Sequence, residues 1–322
     1  MKRVIIDCDP SADDALALML AAASAELSLE AVTAVSGVCE VVQSARNALN
    51  ILELCGRSDV SVAAGASRPG SFLMCGAGAS QPLKRRLEFD GKYCGCDGLS
   101  ETGLVPASSC LSRLPAVELI HRKLEEHPGE IYIISIAPMT NLAELLMKYP
   151  ESRGQIAGIY TINGSYGVAP DKSSWNPRPS WNVRTDPEAA KYVIESGIPV
   201  TALGLDVTMR LENAMAERLM AEGNKNGWAF QFLERAVAFN LKRGLEPYSL
   251  LVDAMAVAAA VRPEIAEYIH GKAAVSDQDG LMCGQTLFGV KGYADQWNSD
   301  VRAAYCFDFD IYIDLFLERV FS

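Results

Sequence analysis

Short apolar runs alternate with stretches of helical periodicity along most of the 322-residue chain. Val4 to Cys8, Leu29 to Val35, Val60 to Ala64, Ile131 to Ile136, Ile156 to Ile162 and Val200 to Leu205 read as strands. Runs this short and this rich in aliphatic residues suit a sheet covered on both faces. Between them, Ala12 to Ala23, Glu40 to Leu54, Ala116 to Glu126, Asn141 to Tyr149 and Asp186 to Glu195 carry helical spacing. The alternation predicts an α/β fold with a mainly parallel central sheet flanked by helices. Helical pattern dominates from Leu211 to Val261, and a last strand and helix are expected within Ala303 to Val320. Gly65 to Ser109 and Gly164 to Asn182 lack periodicity and read as long loops over the sheet edge, where functional residues gather. No repeat, low-complexity segment or linker divides residues 1–322, so one domain is expected.

The chemistry is concentrated between the first strand and the first helix. In Asp7-Cys8-Asp9-Pro10-Ser11-Ala12-Asp13-Asp14, four carboxylates fall at the carboxyl end of one element and the amino end of the next, the edge at which open α/β sheets bind ligands. Asp7 and Asp9 share a face of the strand, and Asp13 and Asp14 lie in the first helical turn. Any one of them could be an ordinary cap or a first-turn acid facing the helix dipole. Together they repel, by roughly 1 kcal/mol per pair 4 Å apart in water and about 4 kcal/mol at an effective dielectric near 20. A hard divalent cation, Ca²⁺ or Mg²⁺, bound by carboxylate and carbonyl oxygens accounts for all four.

A fifth acid stands alone. From Leu250 to Val261 every residue but Asp253 is apolar, which predicts a buried helix, and a lone carboxylate there needs a partner. Either a distant Arg or Lys reaches Asp253, or it closes the metal site begun by Asp9 and Asp14.

Charge and composition narrow the ligand. A formal charge of −11 with no Lys/Arg block argues against a nucleic-acid partner and favours a small-molecule substrate. No signal-peptide pattern or spanning apolar run is seen, and the nine scattered cysteines suit a reducing compartment, so a soluble cytoplasmic protein without membrane or structural zinc is expected.

Asp7-Cys8-Asp9-Pro10-x-x-Asp13-Asp14-Ala15 resembles the DxDPGxDDA opening of the inosine-uridine preferring nucleoside hydrolase family. Further blocks follow in that family's order: Ala63-Ala64-Gly65, Pro138-Met139-Thr140-Asn141-Leu142-Ala143, Trp181-Asn182-x-x-x-Asp186-Pro187-Glu188-Ala189-Ala190, Gly204-Leu205-Asp206-Val207-Thr208, and Asp253. The resemblance implies Ca²⁺-dependent hydrolysis of the N-glycosidic bond of ribonucleosides by a homodimer or homotetramer. It implies calcium ligation by Asp9, Asp14, Asp253 and the carbonyl of Ile136, with Asp9 also as general base. Asp13, Asn182 and Asp253 would hold the ribose diol, and Asp7 a supporting place.

The departures cluster around the substrate. Ser11 replaces a glycine, Val38 an asparagine, Cys94 and Val252 histidines, and Ser180 a glutamate that meets the 5′-hydroxyl; His121, His127 and His270 match no site position. Cys94, Tyr166 and Tyr248 are therefore candidates for activating the leaving group, Trp175 and Trp181 for stacking a base, and Asn176 for the 5′-hydroxyl. Arg178 and Arg184 raise a 5′-phosphate as a possibility. The rival readings are a calcium- and ribose-binding protein without catalysis, and a haloacid dehalogenase-type phosphatase with Asp7 as nucleophile and Ser135 as its second-motif hydroxyl.

Overall fold

The computed structural model describes residues 1–67, 91–104, 107–169, 179–290, 292 and 294–322. Its strands are β1 (Lys2–Cys8), β2 (Leu27–Ala34), β3 (Ser61–Ala64), β4 (Ile131–Ser135), β5 (Ile156–Thr161), β6 (Pro199–Ala202), β7 (Ala266–Val275), β8 (Thr286–Gly289) and β9 (Asp300–Phe307). They form one sheet in the order β3-β2-β1-β4-β5-β6-β9-β7-β8. The run from β3 to β9 is parallel throughout, and β7 and β8 add an antiparallel pair at the far edge. The mainly parallel α/β sheet expected from the alternation is what forms.

The helices are α1 (Ala12–Ala22), α2 (Val41–Leu54), α3 (Ala116–Glu126), α4 (Thr140–Lys148), α5 (Trp181–Thr185), α6 (Pro187–Ile194), α7 (Leu205–Thr208), α8 (Asn213–Glu222), α9 (Trp228–Lys242), α10 (Ala254–Val261) and α11 (Phe309–Arg319). They cover both faces. One core joins α1, α2 and α8 to α11 on one side, and a second joins α3, α4 and α6 on the other. Buried on both faces, β1 carries Val4-Ile5-Ile6 at 0% exposure, which is why it reads as an unbroken apolar run rather than an alternating one. The α1 and α10 helices pack together, and the alanines of Ala254–Val261 let their backbones approach. No described helix is long and apolar enough to cross a membrane.

Three expectations give way. The apolar run around Asp253 is not one helix: Pro247–Leu251 forms a 3₁₀ turn and Asp253 is the cap residue of α10. A uniformly apolar run has no phase from which its starting residue can be read. The segment read as loop up to Asn182 ends in α5, which begins at Trp181. The hairpin of β7 and β8 has no counterpart in the sequence reading, because β7 is half-exposed along much of its length and β8 is only four residues long.

Chain order reverses around β1, which pairs with β2 on one side and β4 on the other. The crevice above the carboxyl ends of β1 and β4 is thus the switch point at which such sheets bind ligands.

On the α2 side, Glu53 anchors the chain that returns toward α3. Its carboxylate accepts from the N–H groups of Ser108 (3.0 Å) and Ser109 (3.1 Å) and from Ser109 Oγ (2.6 Å). These donors, the Ser109 hydroxyl first, hold its carboxyl down at about 2. A depressed acid stabilises the fold above its unfolded value of 4.5 and loses that contribution as pH falls toward about 2. Urea midpoints should therefore fall more steeply with acid in wild type than in Glu53→Gln. Parallel curves for the two would show that the anchor contributes nothing.

Candidate active site

The site is built outward from the end of β1. Asp7 is fully buried, and its Oδ1 accepts from Thr33 Oγ1 (2.6 Å) on β2 and Asn141 Nδ2 (2.7 Å) on α4. Asn141 also donates to the carbonyl of Ala34 (3.1 Å) and accepts from the N–H of Ala66 (2.8 Å). One amide thus ties together β1, the end of β2 and the chain leaving β3. Burial lifts the Asp7 carboxyl to about 7 against the pull of Thr33 and Asn141. Asp7 does not line the cavity described below, and a carboxylate so enclosed offers nothing to a phosphate ester. This placement counts against the phosphatase reading.

Two residues on, the backbone carries acids into the crevice. Ser11 caps α1 with φ −106° and ψ −165°, extended backbone that serine adopts without strain, so the family's glycine is not required at this turn. The N–H of Ser11 donates to Asp14 Oδ2 (3.0 Å), which fixes Asp14 as the first-turn half of a capping box. The N–H of Asp9 donates to Asp14 Oδ1 (3.3 Å). Asp13 takes a hydrogen bond from Ser11 Oγ, and Asp9 Oδ2 one from the N–H of Val38 (2.8 Å).

Asp253 reaches the same place from the other side of the molecule, at the head of α10. Ligand oxygens of Asp13, Asp14 and Asp253 all lie within 4.8 Å of one another. Asp9 borders the same cavity. Burial first, then the neighbouring carboxylates, push Asp9, Asp14 and Asp253 well above the ordinary carboxylate range. No Lys or Arg forms an ion pair with any of them among the described residues. Among the described residues no distant cation reaches Asp253, the partner the sequence left open, and the acids meet one another instead.

The cavity is about 510 Å³, within the range of small-molecule sites. Its floor holds Asp9, Asp13, Asp14 and Asp253 with Ile136 and Asn182, and Asn182 Nδ2 donates to the carbonyl of Ile136 (2.9 Å). This brings the expected carbonyl ligand and the expected diol amide side by side. Val38, Ile162, Leu205 and Val252 give apolar walls. At the mouth, Tyr93 and Trp181 are 54% and 59% exposed and their rings meet at 6.4 Å and 52°.

Other candidates fall elsewhere. Cys94 lies beneath the Val38 segment, its Sγ 3.6 Å from the carbonyl of Val38, and lines a neighbouring cavity. Burial pushes its thiol up to about 12, which makes it a poor proton donor. Tyr248 does not line the main cavity. Tyr166 is buried against Phe288 and donates to the carbonyl of Asn163 (3.0 Å). Of the histidines, His121 stacks on Tyr149 and meets Ser152, and none lines the cavity. Trp175, Asn176 and Arg178 lie outside the described residues.

Several supporting residues gave no sequence signal as site members. Thr33 and Asn141 hold Asp7, and Asn47 donates to the carbonyls of Pro10 (3.0 Å) and Asp97 (3.0 Å), fastening the acidic turn to the chain around residue 97. A polar residue on the buried face of α2 was the available clue to Asn47. Asp186 and Asp206, inside recognisable blocks, are structural. Asp186 caps α6 and receives Thr140 Oγ1 (2.6 Å), while Asp206 receives the N–H groups of Tyr166 (2.8 Å) and Val168 (2.7 Å).

Fold and site together define an α/β protein with an acidic small-molecule cavity at the switch point of its sheet. Residues 4–314 match the model of the inosine-uridine preferring nucleoside hydrolases, and the chain belongs to that family. It is 38% identical over 223 residues to a pyrimidine-specific ribonucleoside hydrolase, RihA, of Salmonella arizonae, a match covering 69% of this chain and 66% of that relative, just under two thirds of its length. Among solved structures it superposes on a plant nucleoside hydrolase, the PpNRh1 enzyme, with TM-score 0.83 and 27% identity over 100% of this chain and 99% of that one. A purine-preferring ribonucleoside hydrolase from Gardnerella vaginalis gives 0.81 and 26% over 99% and 98%.

Gly37 shows how tightly the acids are held, since a Cβ there would fall 1.9 Å from Asp9 Oδ2. Gly37→Ala should displace Asp9 and lower turnover by about a hundredfold while leaving the far-ultraviolet circular dichroism unchanged. Full activity in that variant would show that the position of Asp9 is immaterial.

Proposed function

We propose that this chain hydrolyses the N-glycosidic bond of ribonucleosides, releasing ribose and a free base, with Ca²⁺ as cofactor. The observation that carries the reading is the convergence of Asp13, Asp14 and Asp253 within 4.8 Å, beside Asn182 and the carbonyl of Ile136, with no Lys or Arg among the described residues paired to them. Buried oxygen donors in that number suit a hard divalent ion. Asp9, Asp14, Asp253 and the Ile136 carbonyl would hold it, and when bound it supplies the Lewis acidity that eases deprotonation of a water. The pyrimidine-specific and purine-preferring names of the relatives support testing both base classes as substrates.

The chain's own groups divide the remaining work. Asp9 has one oxygen engaged by Val38, which leaves the other to take the proton of the attacking water as general base. Asp13, Asn182 and Asp253 receive the ribose 2′- and 3′-hydroxyls. Water adds to the anomeric carbon as the bond to the base nitrogen breaks; the base leaves with the bonding electron pair and takes a proton from solvent, and Asp9 releases the proton taken from the water to solvent. Positive charge grows on the sugar in such a step, and the surrounding carboxylates stabilise it. Trp181 and Tyr93 at the mouth offer ring faces to the base.

Reducing-sugar release from purine and pyrimidine ribonucleosides is the test. Wild type should release ribose, chelation should abolish the release, and Asp9→Ala or Asp253→Asn should reduce it by about a thousandfold or more. Ribose binding with no release in wild type would instead establish the non-catalytic reading.

A further inference from the structure

The mouth of the cavity carries a charge of the opposite sign to its floor. Arg184 is the one cation among the described residues lining the cavity, which also holds Asp9, Asp13, Asp14 and Asp253. The chain has 40 acidic and 29 basic residues, so an exposed arginine readily finds a carboxylate. Arg3, Arg57, Arg122, Arg218, Arg243 and Arg319 each do. Arg184 pairs with none among the described residues.

Its placement is fixed from behind. Gly284, at φ +80°, sits in the turn between β7 and β8, and a Cβ on it would fall 2.9 Å from the Cα of Arg184. That turn is pressed against α5, so the guanidinium stem cannot retreat from the cavity by a shift of the helix. Ser180, four residues earlier, also lines the cavity. Its Oγ accepts from the N–H of Gly164 (2.9 Å), which leaves its hydroxyl hydrogen to donate. A hydroxyl donor and a guanidinium therefore stand on one wall, one helical turn apart.

We propose that Arg184, with Ser180, reads a negatively charged group on the substrate, so that the preferred ligands are anionic ribonucleosides. The anion is either a phosphate ester on the ribose or a carboxylate on the base. This rests on the hydrolase reading and names its substrate class. The net charge of −11 repels anions at long range, so recognition depends on the short, desolvated contact that a guanidinium makes with an oxyanion.

Four stable half-ligands test it by titration calorimetry in buffer containing Ca²⁺: ribose against ribose 5-phosphate, and uracil against orotate. In wild type the charged member of one pair should bind about tenfold or more tighter than its neutral counterpart. Arg184→Gln should erase that preference, and Arg184→Lys should keep part of it. An advantage confined to ribose 5-phosphate places the anion on the sugar, and one confined to orotate places it on the base. The proposal is overturned if neither anion gains over its neutral partner, or if the gain survives in Arg184→Gln with an unchanged thermal midpoint. Because these are binding measurements, failure of any nucleoside to be cleaved would count against the hydrolase reading alone. Cleavage of neutral nucleosides without an anion preference would count against Arg184 alone.

Discussion

Buried carboxylates that face one another without a cationic side chain are the constraint around which the molecule is arranged. At an effective dielectric near 20, each pair of ionised oxygens about 4 Å apart costs about 4 kcal/mol, and Asp13, Asp14 and Asp253 make three such close approaches. Hydrogen bonds from Ser11, Asp9 and Val38 oppose this, but at about 1.5–3 kcal/mol each for a charged acceptor they do not cancel it together with burial. The raised proton affinities of Asp9, Asp14 and Asp253 are the same imbalance seen from the solvent side. Protons or a bound cation must complete the site, and on the proposed chemistry a cation would do so while leaving the oxygens charged. On the proposed chemistry a sugar acquiring positive charge would meet that same field, so the feature that burdens the fold would favour the reaction.

The fold bears this burden by holding each acid from a different element. Strand β1 delivers Asp9 and α1 delivers Asp13 and Asp14, the latter locked by the Ser11 N–H. Asp253 arrives on α10, which packs along α1 through its alanines. Thr33, Asn141 and Asn47 then tie the ends of β1 and β2 and the middle of α2 to the acidic turn. Parallel sheets leave the crevice open where strand order reverses, so converging acids need only short loops to reach it.

Much of this was legible before any coordinates, because β1 and α1 are apolar runs flanking four acids and the pattern fixes which ends meet. Asp253 was legible as an anomaly but not as a cap, since Leu250 to Val261 has no polar phase to mark where the helix begins. The β7–β8 hairpin stayed hidden because its side chains are neither cleanly alternating nor uniformly apolar. Tyr93 at the rim was invisible for another reason: loop residues show no period, and only the folded chain sets Tyr93 against Trp181. Cys94 matched a histidine position in the family pattern, yet its thiol lies under the Val38 segment, away from the main cavity. Linear correspondence cannot report such a change of direction.

Which positions tolerate change follows from which atoms the site uses. At Val38 the working group is the backbone N–H on Asp9, so the side chain was free to become an apolar wall. At Ser11 it is again the N–H, and extended backbone removes any demand for glycine. Ser180 and Val252, like Val38, line the cavity, so replacement there alters what the cavity reads. The result is a floor of oxygens kept intact beneath apolar walls of Val38, Ile162, Leu205 and Val252, with Ser180 and Arg184 as polar groups beside them. On the proposed chemistry, the acids of the floor stabilise the sugar left behind as the base departs. Bases differ in how readily they leave, and on the proposed reading the aromatic and cationic residues at the mouth add to selection among substrates.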